Sequence, residues 1–265
     1  MSINRPLYKN SFTSDRILPW ICPSCKIGVL ETDKKNIKIY ESSESKSYHN
    51  HPAWEPSWIS GGFIGFLICS NSNCSETVGI IGKMNLIEGQ EYNEEYDRWD
   101  LVGTKELIPT QFYPPLNIFP MNKDVPKRIN IIVSSAFNLF WVDLSSCANK
   151  IRTVAECIMD DKKVPKTYLD KRKRKGYTLH RRIEMFKKTN IEEAELLMAI
   201  KWIGNTGSHQ VDNLTKDDIL DGFDILELVT TKLYDTNSSR IKKLSRKINK
   251  RKKPIGKAIN TKSGR

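Results

Sequence analysis

Four cysteines in the first third of the chain are spaced as two pairs. Two residues separate Cys22 from Cys25, and four separate Cys69 from Cys74. Structural zinc is held by four soft ligands in a tetrahedron, and two short loops with two thiolates each supply them. Four thiolates leave no open coordination position, so we predict a structural Zn²⁺ that stabilises the fold and does not catalyse. The alternative is a small β domain with reduced cysteines.

Other features of the sequence bear on this prediction. The second pair is wider than a standard knuckle, and His49 and His51 lie between the pairs as substitute ligands to consider. Cys147 and Cys157 fall on an apolar helical face and are most simply core thiols. The chain has no run of about 18 apolar residues and no apolar signal-peptide core, so we expect a cytoplasmic protein with reduced cysteines.

A second set of residues with chemical potential surrounds Gly204, where residues 201–209 read KWIGNTGSH. In one interpretation the helix ends at Gly204, and His209 bonds a carbonyl to fix the next loop. In the other the helix continues, and Lys201, Asn205 and His209, which are four residues apart, share one face. The second interpretation would place a compact polar cluster on an otherwise apolar helical bundle.

Arg152 and Glu156 lie four residues apart on a helix that is apolar over most of its surface. The simple interpretation is an exposed ion pair that contributes a few tenths of a kcal/mol. If the pair is partly buried, we expect it to hold another polar group, such as the loop at His209.

The remaining pattern predicts an α+β protein in which a small zinc-binding β domain precedes an all-α helical bundle. Strand-like runs occur before a proline-rich connector at Pro109–Pro120, whose aromatic side chains could stack bases but more often pack a linker against its domain. Helical periodicity follows from Val125. We divide the chain into a zinc-ribbon-like β domain at 1–120, a helical domain at 121–238 and a basic disordered tail at 239–265.

The basic residues are concentrated in two places. Twelve Lys and Arg residues lie from Arg240 onward without an acidic residue, and they account for the whole net charge of +12. Lys171–Lys175 is a run of five consecutive cations, which we expect to form a flexible loop. Both segments could bind phosphates non-specifically by counterion release, and the tail could equally serve solubility or protein docking.

Three motifs resemble the domain of unknown function 4145 family: CANKIRTVAE at 147–156, LHRRI at 179–183 and KWIGNTGSH at 201–209. That family is bacterial and phage-associated and often lies beside restriction or anti-phage defence genes, and many members carry a zinc-ribbon-like N-terminal region. It is similar to the HEPN superfamily of helical domains, many of which are dimeric, metal-independent ribonucleases. The resemblance therefore implies a HEPN-like bundle, a homodimer formed through the helices, and a partner protein from a defence operon.

The HEPN signature is an arginine, usually followed by a polar residue, with a histidine four to six residues on. Asn205 and His209 match the polar residue and the histidine, but the arginine position falls on Gly204. Lys201 or Arg152 could supply a cation from another position. Metal-free RNA cleavage needs a base, an acid and a cation for the phosphorane, and one histidine per subunit across a two-fold interface could provide the first two.

Two functional hypotheses follow. In the first, the protein is an RNA-cleaving effector in which His209 is base or acid, Lys201 and Arg152 stabilise charge, Asn205 orients the substrate and Glu156 holds Arg152. In the second, it is a non-catalytic nucleic-acid-binding or adaptor module that partners a nuclease or restriction system. The basic segments 171–175 and 240–265 then bind nucleic acid, RNA in preference to DNA, or dock the partner.

Overall fold

The computed structural model describes residues 3–93, 97–209, 214–252 and 254. Its N-terminal part is built on an antiparallel sheet whose strands alternate between buried and exposed side chains, the pattern of a sheet with one face on a core. Strand order is β1-β3-β4-β5, and β2 pairs with β3 beside β1. The elements of this part are α1 (Pro6–Lys9), β1 (Leu30–Glu31), β2 (Ile37–Glu41), α2 (Ser43–Ser47), β3 (Ser60–Cys69), β4 (Thr77–Asn93) and β5 (Arg98–Tyr113), with 3₁₀ turns at Lys34–Asn36, Tyr48–Asn50 and Pro56–Trp58.

Strands β4 and β5, with 17 and 16 residues, form the longest pair of the sheet. Pro109 lies inside β5, where the register with β4 shifts between Ile81 and Gly82. Proline has no amide hydrogen to donate to a ladder, and strands accommodate it at such irregularities. The connector after the sheet therefore begins at residue 114, five residues later than predicted.

The C-terminal part is helical with one hairpin inserted, so the prediction of an all-α domain is wrong in that detail. The first helix begins at Lys127, two residues after the predicted start of helical periodicity at Val125, and three of the helices start at a side-chain cap. Asp143 caps the helix Leu144–Asp161, Thr178 caps Leu179–Lys187, and Thr215 with Asp218 forms a capping box at Lys216–Tyr234. The elements are α3 (Lys127–Val142), α4 (Leu144–Asp161), β6 (Thr167–Asp170), β7 (Lys173–Gly176), α5 (Leu179–Lys187), α6 (Ile191–His209), α7 (Lys216–Tyr234) and α8 (Thr236–Arg251).

One continuous set of buried side chains joins the two parts. The Phe112 ring at the end of β5 lies 4.7 Å from that of Trp141 on α3, and Phe119 in the connector lies 5.1 Å from Phe137. The N-terminal segment also reaches the helices, because Arg5 pairs with Asp221 and other acids of α7. Phe112 and Phe119 are therefore packing residues with ring partners in the helical part, whereas Tyr113, also in the predicted connector, is exposed.

Both basic segments are more ordered than predicted. Residues 171–175, expected to be a flexible loop, form the turn and second strand of the hairpin β6–β7. The first part of the tail, expected to be disordered, is helix α8, because Ile241, Leu244 and Ile248 recur with helical spacing among strong helix formers. Residues 253 and 255–265 lie outside the described part of the chain. None of the described helices is long and apolar enough to span a membrane.

Candidate functional site

The four predicted cysteine ligands converge at one end of the sheet. Their sulfur atoms all lie within 4.8 Å of one another. The Sγ atoms of Cys22 and Cys74 are 3.8 Å apart, and those of Cys25 and Cys69 are 3.6 Å apart. A tetrahedral centre with metal–sulfur bonds of about 2.3 Å requires sulfur separations of roughly 3.8 Å. The donor set and its spacing therefore fit a single metal ion.

The first cysteine loop is shaped by backbone hydrogen bonds. The Cys22 amide donates to the Gly28 carbonyl at 2.8 Å, and Lys26 turns the chain with a left-handed φ of 60°. The Gly28 amide donates to the Cys25 sulfur at 3.4 Å. A Cβ at Gly28 would lie 2.4 Å from the Cys69 sulfur, so only glycine lets the two loops approach this closely.

The second loop absorbs its two additional residues in a local turn. The Cys74 amide donates to the Asn71 carbonyl at 2.8 Å, and Asn71 Oδ1 accepts from the Asn73 amide at 3.1 Å. Ser75 leaves the loop with a left-handed φ of 48°. An asparagine that bonds the backbone two residues on is a common way to tighten a turn. The wider spacing of this pair is therefore compatible with ligation.

Without a bound metal, the thiols of Cys25 and Cys69 differ in their pKa values. Backbone amide hydrogen bonds, from Gly28 foremost, lower the pKa of Cys25 to about 6, whereas burial raises that of Cys69 to about 12. The substitute ligands point elsewhere: His49 Nε2 lies 2.7 Å from Glu41, and the His51 ring packs on Trp58. Among the described residues, these four cysteines are the group close enough to share a metal ion.

Helix α6 continues through Gly204 to His209, so the interpretation in which Gly204 ends the helix is wrong. The physical reason is the crossing with α4. A Cβ on Gly204 would lie 2.4 Å from the Arg152 Cβ and 3.1 Å from the Ala148 carbonyl oxygen. Glycine is present because the two helices approach too closely for any side chain.

The polar residues near this crossing gather around Arg152. Its guanidinium lies 3.2 Å from Glu156, which confirms the predicted ion pair, and its buried Nε has no hydrogen-bond partner. Lys201 is buried, with its ammonium 3.2 Å from the centroid of the Trp202 ring. Burial, and secondarily the nearby charge of Arg152, lowers the pKa of Lys201. Asn205 is half-buried one turn further along α6.

His209, the proposed acid or base, is the last residue of α6, and its side chain lies outside the described part of the structure. Of the five residues predicted for this site, Arg152, Glu156 and Lys201 therefore form a cluster. Asn205 follows Lys201 by one turn of the same helix. The placement of the histidine side chain stays a prediction.

Arg182, in the LHRRI motif, has a structural role that the sequence analysis missed. It is 6% exposed and donates to Asp160 at 2.8 Å and to the Val164 carbonyl at 3.1 Å. Burial raises the pKa of Asp160, but hydrogen bonds from Lys166 and Arg182 outweigh it and lower the pKa overall. The spacing of Arg182 with Leu179 and Ile183 could have revealed it, since all three share the apolar face of α5.

The hairpin β6–β7, called the basic hairpin below and comprising residues 167–176, projects from the helical part. Its turn is made by Lys171 and Arg172, with φ values of 44° and 68°. Side chains 171–175 are all exposed, and Lys175 pairs with Asp170 at 2.5 Å. The rings of Tyr168 and Tyr177 stack at 4.6 Å across the base of the hairpin.

Two family models match the chain. Residues 10–112, which contain the sheet and the four cysteines, match a domain of unknown function (DUF8608). Residues 134–258 match a domain of unknown function (DUF4145). No curated protein and no solved structure matches the chain. The match at 134–258 therefore confirms the resemblance of the helical motifs to the DUF4145 family.

Proposed function

We propose that the protein binds nucleic acid without cleaving it, by contacts between the basic hairpin and the phosphate backbone. The observation that carries this proposal is the turn of the hairpin. A two-residue hairpin turn with φ above zero at both positions favours Asn-Gly or Gly-Gly, and this chain has Lys171 and Arg172 there. Residues in unfavourable backbone conformations concentrate at functional sites.

The charge of the hairpin supports the same function. Five consecutive cations are exposed and a single neighbouring acid, Asp170, neutralises one of them. Because alternate residues of a strand point to opposite faces, the cations surround the tip and can contact phosphates on both sides. The stacked pair of Tyr168 and Tyr177 holds the base of the hairpin together, which reduces the entropy lost on binding.

Helix α8 would add a second basic surface. Its described part carries Arg246, Lys250 and Arg251 among other exposed cations and has no acidic residue. Phosphate contacts of this kind are independent of sequence and strongly dependent on salt. The proposal therefore concerns general backbone binding, with RNA as the expected preference.

The test is the affinity for labelled single-stranded RNA and for matched RNA and DNA duplexes, measured by fluorescence anisotropy over a range of salt concentrations. The variant is Lys171→Gln/Arg172→Gln/Lys173→Gln, which keeps the length and polarity of the hairpin. Each phosphate contact removed lowers the slope of log K against log salt by about 0.9 on a duplex and about 0.7 on a single strand. We expect the slope to fall by at least two such steps.

The matched control removes three exposed lysines from the N-terminal part, in Lys35→Gln/Lys83→Gln/Lys105→Gln. It changes the net charge by the same amount, so an equal loss of affinity in both variants would show only a general charge effect. An unchanged slope in the hairpin variant would refute the proposal. An α8 variant, Arg246→Gln/Lys250→Gln/Arg251→Gln, measures how much this helix contributes to the affinity and to its salt dependence.

We further propose that the metal of the four cysteines is zinc and that it is structural. The support is the donor set: four thiolates favour zinc over oxygen-preferring ions, and they leave no position for a substrate. When bound, zinc would crosslink the loop after residue 21 to the end of β3. Metal analysis of the purified protein, with released zinc measured by a chelating dye, tests this proposal, and a content well below one ion per chain would refute it.

Metal-independent RNA cleavage is a second candidate function. The observation in its favour is the unpartnered Nε of Arg152 beside Lys201, because two cations with one acid, Glu156, leave a positive charge for a phosphate. Purified protein is incubated with total RNA and tRNA in EDTA, beside His209→Ala. Cleavage that this substitution abolishes, in a protein that stays folded, would establish the enzyme and displace the non-catalytic proposal.

A further inference from the structure

The outer face of the sheet, the one turned away from the core, carries a contiguous group of exposed apolar side chains. These residues, called the outer patch below, are between 44% and 78% exposed. Soluble monomers rarely expose so many large apolar side chains together, and such patches mark interaction surfaces. The outer patch consists of Ile64, Phe66, Ile68, Ile81 and Tyr113.

A groove of about 340 Å³ runs through the centre of the outer patch. Its floor is Gly79, which pairs in register with Phe66 on one side and with Tyr113 on the other. The two aromatic side chains therefore stand on either side of a position without a side chain. These three residues form a central row across the sheet. Along β3, Ile68 lies two residues to one side of this row and Ile64 two residues to the other.

Two opposite charges flank the patch symmetrically. Glu31 pairs in register with Ile68, and Lys38 pairs with Ile64. Cross-strand neighbours share a face of the sheet, so both charges lie on the outer face and on the same side of β3. Both side chains are exposed, and neither forms an ion pair with another described residue.

We propose that the outer patch binds a second copy of this chain, with the two-fold axis along the row of Phe66, Gly79 and Tyr113. Rotation about this axis exchanges the row of Ile68 with that of Ile64. Because β1 and β2 lie on the same side of β3, the rotation places Glu31 opposite Lys38 of the partner subunit. The same rotation places Lys38 opposite Glu31 of the partner subunit. The interface is thus self-complementary in charge, as an isologous contact must be.

The chemistry of the patch favours a protein occupant over nucleic acid. The groove is lined almost entirely by carbon, and the exposed charges on the same face are Glu31, Lys38 and Lys83, which leave a net charge of one. A phosphate backbone would require a denser array of cations than this face provides. Face-to-face packing of two sheets with nearly aligned strands is a common way to bury such surfaces. This interface is independent of the nucleic-acid proposal and differs from the dimer through the helices that the family resemblance implies.

The experiment is sedimentation velocity of the full-length chain over a range of concentrations. Glu31→Lys and Lys38→Glu each place two like-charge pairs in the symmetric interface, and we expect each to weaken the dimer about tenfold. The double variant Glu31→Lys/Lys38→Glu restores both pairs with reversed polarity, so its dimer should recover. Recovery in the double variant is expected only if the two charges meet across a contact between identical subunits.

Phe66→Lys should abolish the dimer, because it places two charges at the centre of the interface. Ile131→Lys on α3, a residue 61% exposed, is the matched control and should leave the dimer intact. Metal content and circular dichroism confirm that each variant is folded. A monomeric wild-type chain, a double variant as weak as the single variants, or a dimer lost in Ile131→Lys and kept in Phe66→Lys would each overturn the proposal.

Discussion

The sheet part and the helical part hold distant segments together by different means. In the sheet part, the loops at Cys22 and Cys69 meet where four sulfur atoms face one centre, and the hydrogen bonds around them serve to aim those atoms. In the helical part, α4 and α6 meet at Gly204, where the contact is possible only because glycine has no Cβ. One junction is specified by reactive groups and the other by shape.

The difference determines what each junction can tolerate. A ligand set loses its function when one donor is replaced, because the remaining three cannot complete the tetrahedron. A helix crossing tolerates many changes of polarity but not an added volume at the point of contact. The buried charge of Arg182 is paired with Asp160, whereas the buried ammonium of Lys201 packs on the Trp202 ring.

The largest expected effect follows from removing one thiolate. Cys25→Ser should abolish stoichiometric metal binding and lower the free energy of unfolding by about 4 kcal/mol or more, because metal binding is coupled to folding. Chemical denaturation with metal analysis measures both quantities. Cys157→Ala, which removes a core thiol of α4, should cost about 1 kcal/mol and leave the metal content unchanged. Equal effects of the two substitutions would show that the cysteine cluster is not a metal site.

A smaller effect should follow from breaking the buried pair of the helical part. Arg182→Ala leaves Asp160 without its best-buried partner and should cost about 3 kcal/mol near neutral pH. Lys187→Ala removes a partner of the exposed pair with Glu195 and should cost at most about 0.5 kcal/mol. Urea denaturation of both variants measures the difference, and similar costs would contradict the structural role assigned to Arg182.

The pH dependence of the Arg182 effect sharpens this test. The pKa of Asp160 is lowered in the folded state, so its contribution to stability is present above the unfolded value of 3.8 and is lost as the pH falls below it. The difference between wild type and Arg182→Ala should therefore shrink in that acidic range. A difference that stays constant would assign the cost to lost packing.

Gly204→Ala tests whether the helix crossing is specified by shape. The added Cβ would meet the Arg152 Cβ, an atom next to the backbone that cannot move aside, so we expect a loss of about 1–2 kcal/mol despite the higher helix propensity of alanine. Gly222→Ala on α7 is the control. Its Cβ would meet Ile151 and Ile203 at 3.5 Å and 3.6 Å, so it should be neutral or stabilising by up to about 1 kcal/mol. Thermal denaturation ranks the two variants.

These two junctions also differ in how far the sequence predicts them. The cysteine pairs are visible in the chain because thiolate ligands have a required type and a short spacing. The role of Gly204 is not visible in the sequence, because a glycine after an apolar helical run fits either a helix end or a close helix crossing. Only the position of Arg152 on another helix decides between a helix end and a crossing. The Arg152–Glu156 pair was predictable because both residues lie on one helix.

The basic hairpin shows another limit of sequence reasoning. Five consecutive cations have neither the alternation of a strand nor the turn residues of a hairpin, so residues 171–175 suggest a loop. What orders them is outside the run: Tyr168 stacks on Tyr177, and the Tyr177 amide donates to the Lys166 carbonyl at 2.8 Å. Cross-strand contacts of this kind leave no local pattern in the charged segment itself.

The smallest expected effect concerns this hairpin, and it separates binding from stability. Lys171→Asn/Arg172→Gly installs the residues that a two-residue turn with positive φ prefers, and it should stabilise the hairpin by about 1 kcal/mol. Amide hydrogen exchange of the β6–β7 pairs should slow accordingly. If the tip contacts phosphates, the same variant should bind nucleic acid more weakly, because two cations are gone.

Lys171→Gln/Arg172→Gln distinguishes the two contributions, since it removes the charges and keeps the unfavourable turn. Equal loss of affinity in both double variants, with slower exchange only in the Asn-Gly variant, would mean that the charge and not the turn conformation carries binding. Unchanged affinity in both would remove the hairpin from the binding surface. The unfavourable backbone conformation of Lys171 and Arg172 would then lower the stability of the hairpin without contributing to binding.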